Sequence, residues 1–137
     1  MTYDEFLIKY AQLMKLFQCI EFDIKWTYSS MKVGDIQNNR IEIDKMTLGT
    51  VIKLLNKLDN SDSQPHLTKS DYQLLSDITR IRNYWAHSCF TDFVYSVSNI
   101  QNDFDKTSRR LENDYNRVNK LAESIEIFRI SMVTNRN

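Results

Sequence analysis

The chain reads as an all-α protein, an antiparallel four-helix bundle, and three observations predict it. Two glycines and one proline in 137 residues leave too few turn formers for a sheet protein. Apolar residues recur at three- and four-residue steps over long stretches, which is the period of an amphipathic helix. Hydrophobic residues make up 42% and charged residues 26% of the chain, enough for a core and too apolar for wholesale disorder. The length fits one domain spanning residues 1–137, and no repeat or low-complexity tract divides it.

The first helix is expected over residues 3–32, with Phe6, Tyr10, Leu13, Phe17, Ile20 and Ile24 as its apolar stripe and Gly34-Asp35 as its stop. Residues 36–46 contain Asn38-Asn39 and the alternation Ile41-Glu42-Ile43-Asp44, which reads as a loop or a short extended piece. A second helix is expected over residues 47–58, carrying Leu48, Val51, Ile52, Leu54, Leu55 and Leu58. Asn60, Ser61, Ser63 and Pro65 then mark a loop, in which His66 is expected to face solvent. A third helix begins near Thr68–Ser70, either of which can cap it, and runs to His87. Its core stripe is Leu74, Ile78, Ile81 and Trp85. Residues 88–98 read as a linker. The last helix covers residues 99–132, with Ile100, Phe104, Leu111, Tyr115, Val118, Leu121, Ile125 and Phe128 inward.

Charge and composition exclude several classes. The formal net charge is zero, so no global basic field draws in nucleic acid, and any such contact must come from a local patch. Cys19 and Cys89 are too few and too isolated for a disulfide framework or a zinc site, and Cys19, among apolar neighbours, is expected to be a small core residue. No apolar stretch approaches the roughly 20 residues of a membrane span. The start Met1-Thr2-Tyr3-Asp4-Glu5 lacks the basic opening of a signal peptide, so the expectation is a soluble, cytoplasmic protein with no membrane partner.

The chemistry concentrates in Ile81-Arg82-Asn83-Tyr84-Trp85-Ala86-His87, where arginine and one of only two histidines approach the end of the third helix. Arginine is a permanent cation suited to phosphate, and histidine moves protons near neutral pH. At about 100° per residue, Ser76, Arg80, Asn83 and His87 fall on one polar stripe nearly opposite the apolar one. Arg82 lies roughly 140° from His87, so a straight helix does not join them. Either the chain turns at His87, or the pair is assembled across a symmetric dimer.

Arg82-Asn83-Tyr84-Trp85-Ala86-His87 resembles the R-x4-6-H motif of the HEPN superfamily, in which a polar residue, often Asn, follows the arginine. The motif covers six residues, and the matching helical pattern spans most of the chain. The resemblance implies a small helical bundle, a homodimer, and a metal-independent endoribonuclease acting as a toxin or as a defence or abortive-infection effector. It implies Arg82 and His87 as the catalytic pair, with Asn83 in support, and it implies RNA as substrate and an antitoxin protein as a further partner. No metal and no cofactor is implied. Arg80 also stands at a permitted spacing, but apolar Ile81 follows it, so Arg82 is preferred. Arg80 and Tyr84 are then substrate-binding candidates, Tyr84 by stacking on a base or by lining a dimer interface. One departure stands out: HepT-type members carry H-x-Y, whereas Cys89 occupies that tyrosine's position here.

Plainer readings compete. His87 suits a helix C-terminus as a cap for the dipole, and Arg82 suits an ion pair with an acidic neighbour. Trp85 reads as core. Arg109, Arg110, Arg117 and Lys120 form the best basic patch outside the motif, but Glu112, Asp114 and Glu123 interleave it in sequence, which favours a solvated face. The alternatives to a ribonuclease are a non-catalytic HEPN-like module binding RNA, a nucleotide or a protein, and an unrelated helical interaction protein.

Overall fold

Thr2 starts the first helix by a reciprocal cap: its hydroxyl accepts the Glu5 N–H at 3.1 Å, and the Glu5 carboxylate accepts the Thr2 N–H at 2.9 Å. The computed structural model describes residues 1–135, and the last two positions of the expected 1–137 domain lie outside the described residues. Six helices follow in order: α1 (Tyr3–Met31), α2 (Ile36–Ile43), α3 (Leu48–Asp59), α4 (Lys69–His87), α5 (Thr91–Val94) and α6 (Ile100–Thr134). Among the described residues there is no strand, and the protein is all-helical. No helix among them is long and apolar enough to cross a membrane.

α1 is the element around which the rest is arranged: α2, α3, α4 and α6 all pack against it. Phe6, Leu13, Phe17, Ile20 and Ile24 are buried along it, as the three-and-four spacing predicts, while Tyr10 is half-buried. α3 adds Val51, Ile52 and Leu55; α6 adds Phe104, Leu111, Val118, Leu121, Ile125 and Phe128. Ile100 is exposed and Tyr115 half-buried, because α6 has only begun at the first and has rotated past the core at the second. On α4 the buried set is Tyr72, Leu75, Ile78, Ile81 and Trp85, so Leu75 takes the core position expected of Leu74, which is half-buried.

Two segments depart from expectation. Residues 36–46 hold a helix rather than a loop or extended piece. Asp35 caps it by accepting the Asn38 N–H at 3.0 Å, and Ile36, Asn39 and Ile43 share its inner face at helical spacing. The Ile41/Ile43 alternation misleads, for Ile43 is fully buried and Ile41 is 60% exposed. Asn39 is buried because its amide donates to the Ser29 and Lys32 carbonyls, at 3.0 and 3.1 Å, and so closes the end of α1. Gly34 makes the intervening turn at φ +114°, a left-handed conformation that disfavours a side chain. The second departure is residues 88–98, expected as a linker. They contain α5, which packs on α6 and drives Phe93 between Phe6 and Phe104 at ring-centroid distances of 5.5 and 5.2 Å.

Cys19, expected in the core, is instead exposed on α1, and Cys89, just past the end of α4, is buried. Cys19 has apolar neighbours in sequence, but it falls off the stripe that packs inward. His66 is exposed in part, yet its ring stacks on Phe128 with centroids 4.4 Å apart and its Nδ1 sits 3.3 Å from Asp59.

Candidate functional site

Thr68, not Ser70, opens α4, through a second capping box with Asp71. The helix then runs unbroken to His87, and Ser88 closes it by donating its N–H to the Tyr84 carbonyl at 2.9 Å. Its inner face is pinned by Trp85, which is fully buried and donates its indole N–H to Asp114 of α6 at 2.8 Å. That bond fixes the rotation of the last turns of α4, and therefore the direction in which the motif residues point.

Ser76, Arg80, Asn83 and His87 are all exposed, so the polar stripe expected from the sequence exists. Arg80 spends its charge only on Asp77, at 3.6 Å on the same surface, and remains 70% exposed. His87 makes no hydrogen bond or ion pair among the described residues. The other histidine, His66, is committed to Asp59 and Phe128. His87 is therefore the imidazole available to a ligand.

Arg82 faces elsewhere. Its guanidinium lies 3.6 Å from Glu21 of α1, with both side chains about one-third exposed. α4 runs through His87, so helix geometry sets Arg82 about 140° from it, and no hydrogen bond or ion pair joins the two among the described residues. Within one chain the arginine that shares a face with Asn83 and His87 is Arg80, two turns below His87.

Tyr84 is half-buried at the edge of this stripe. Its hydroxyl donates to Asp92 of the 88–98 segment, and the Arg110 guanidinium of α6 lies over its ring at 3.5 Å from the centroid. Burial first, then the hydrogen bond and charge of Asp92, hold the phenol above its ordinary range, so it stays protonated. Tyr84 and Arg110 thus join the α4 stripe to α6. Sequence reasoning missed Arg110 and Asp92 as neighbours of the motif, because nothing local signals a contact 26 residues downstream.

Among the described residues no three His, Cys, Asp or Glu side chains gather as a metal site requires. No family model matches this chain, and no curated protein or solved structure is significantly similar to it.

Proposed function

We propose that the protein is a metal-independent endoribonuclease of the HEPN type, a four-helix-bundle toxin or defence effector in the cytoplasm whose Arg–His site is shared across a homodimer. The observation that carries this reading is His87: an exposed imidazole without partners, one turn from Asn83 and two from Arg80, in the six-residue motif that begins at Arg82.

In such a site His87 moves the proton at the RNA 2′-hydroxyl or at the leaving oxygen. The 2′-oxygen bonds to phosphorus, the bond to the 5′-oxygen breaks and that oxygen takes up a proton. The products are a 2′,3′-cyclic phosphate and a 5′-hydroxyl, with no oxidant, water or metal in the balance. Proton transfer of this kind contributes about 10²–10⁴ in rate, and a fixed cation stabilising the phosphorane often contributes as much. Arg82 supplies that cation from the partner subunit. Its pair with Glu21 is an exposed ion pair of the kind worth about 0–1 kcal/mol, so it yields readily to a phosphate. Arg80 and Tyr84 hold the strand, and Asn83 orients the imidazole or a phosphate oxygen.

The test is cleavage of a mixed RNA pool in EDTA, with helical content checked by circular dichroism. Wild type cuts and leaves cyclic phosphate ends, whereas His87→Ala and Arg82→Ala each lose at least about 10²-fold. A wild type that is inert on many RNAs, or variants that cut as it does, removes the reading. The second reading, a non-catalytic RNA- or nucleotide-binding module, is favoured by the Arg110–Tyr84 stack beside the motif. It predicts RNA binding that survives loss of His87, without cleavage. An antitoxin partner belongs to the first reading and would be expected to cover the His87 face.

A further inference from the structure

The sequence interleaves bases and acids along α6, but the helix separates them. At about 100° per residue, Lys106, Arg109, Arg110, Asn113, Arg117 and Lys120 fall within an arc of about 100°. Every carboxylate of α6 among the described residues falls outside that arc: Asp103 and Asp114 on one side, Asp105, Glu112, Glu123 and Glu126 on the other. From Lys106 to Lys120 the stripe is roughly 20 Å long. Four of its five bases, Lys106, Arg109, Arg110 and Arg117, line a shallow hollow of about 700 Å³ together with Asn113 and Asn116. The one carboxylate there, Asp114, is 6% exposed and already holds the Trp85 indole and Arg117, the latter at 2.7 Å, with Arg110 at 3.9 Å. Lys106 and Arg109 have no ion pair among the described residues, although Asp105 and Glu112 flank Arg109 on its outer side. Within the arc, Lys106 and Arg109 therefore carry positive charge that no ion pair neutralises, on a molecule whose net charge is zero.

We infer that this α6 stripe is a docking track for the phosphodiester backbone of single-stranded nucleic acid, with the Arg110 guanidinium as a stacking plate for one base. Charge complementarity selects a polyanion. The Arg110–Tyr84 contact narrows it further: the Arg110 guanidinium carbon lies 3.5 Å from the Tyr84 ring centroid while the side chain stays 46% exposed, which leaves guanidinium surface for a base to stack on. A cationic track combined with a planar stacking surface suits unpaired strands, whose bases are free to stack. The track ends against acids on both sides, Asp92 and Asp103 near Lys106, and Asp71 and Asp77 near Lys120, which confines the strand to the middle. Tyr84 then leads from the track to the exposed face of Asn83 and His87, so a strand held here passes the proposed cleavage site. The inference deepens the ribonuclease reading by naming where the strand lies, but the track itself needs no catalysis.

The experiment is fluorescence anisotropy of a short 2′-O-methyl oligouridylate, which lacks the free 2′-hydroxyl and survives a ribonuclease. Three full-length proteins are compared over a salt series: wild type, Lys106→Glu/Arg109→Glu, and Lys53→Glu/Lys57→Glu on α3. Both pairs are exposed, and both variants change net charge equally. The inference predicts that the α6 variant binds at least about tenfold more weakly, with the salt slope lowered by about 0.7 for each lost cation, while the α3 variant binds like wild type. Equal weakening by both variants, or none by the α6 variant, overturns it. So does a wild type that ignores the oligonucleotide but binds polyglutamate, which would give the stripe to an acidic protein. The two proposals fail separately: an inert protein that binds through α6 keeps the track and loses the ribonuclease. A cleaving protein indifferent to the α6 change keeps the ribonuclease and loses the track.

Discussion

Asp59 shows how one buried carboxylate organises a loop. It is fully buried and accepts the His66 and Leu67 N–H groups at 2.8 and 3.1 Å and the Tyr72 hydroxyl at 2.7 Å. Asp59→Ala strands several buried donors at once, each costing about 1–3 kcal/mol, so a loss of about 3 kcal/mol or more is expected in urea unfolding. The two thiols provide a second residue-scale prediction. Burial pushes the Cys89 thiol up to about 11, so at pH 8 iodoacetamide should modify exposed Cys19 and leave Cys89 intact until the protein unfolds. Because the folded chain holds that proton more tightly than the unfolded one, stability falls as pH rises above about 8.5. Thermal melts of wild type should decline more steeply than those of Cys89→Ala between neutral and alkaline pH. The sequence identified His87, Asn83 and Arg80 as co-facial from their spacing alone, since helix geometry carries that information. It had no access to Glu21 beside Arg82, because that contact depends on how α1 and α4 pack, and no local pattern encodes it.

At the level of elements, the four long helices were legible because their apolar periods are long and their caps are explicit in Thr2, Thr47 and Thr68. α2 and α5 were not. Each is too short for a period to stand out, and each is held by tertiary contacts: Asn39 on the end of α1, and Phe93 among Phe6, Phe90 and Phe104. This predicts that Asn39→Ala costs about 2 kcal/mol, since two carbonyls at the end of α1 lose their donor, whereas Asn38→Ala, exposed on the same helix, costs little. Hydrogen exchange should show the loss at the end of α1 as well as in α2. Capping matters in the same way at the motif helix, where Thr68→Ala should cost about 1 kcal/mol and fray the start of α4 without disturbing His87.

For the whole molecule, the central place of α1 means that its midpoint bears the largest penalty. Leu13→Ala or Ile24→Ala, both at fully buried positions, should cost about 2–5 kcal/mol. The same arrangement sets the functional problem. One chain presents His87 to solvent and turns Arg82 toward α1, and the proposed ribonuclease therefore draws the pair from two copies. The most direct measurement is therefore RNA cleavage in EDTA by Arg82→Ala protein, by His87→Ala protein, and by an equimolar mixture of the two allowed to exchange subunits. The account predicts that each variant alone is silent and that the mixture recovers about a quarter of wild-type activity. Half of the dimers are then mixed, and one of the two sites in each holds both an intact Arg82 and an intact His87. A mixture that stays silent while wild type cuts would contradict the shared site, and a wild type that does not cut would contradict the ribonuclease itself.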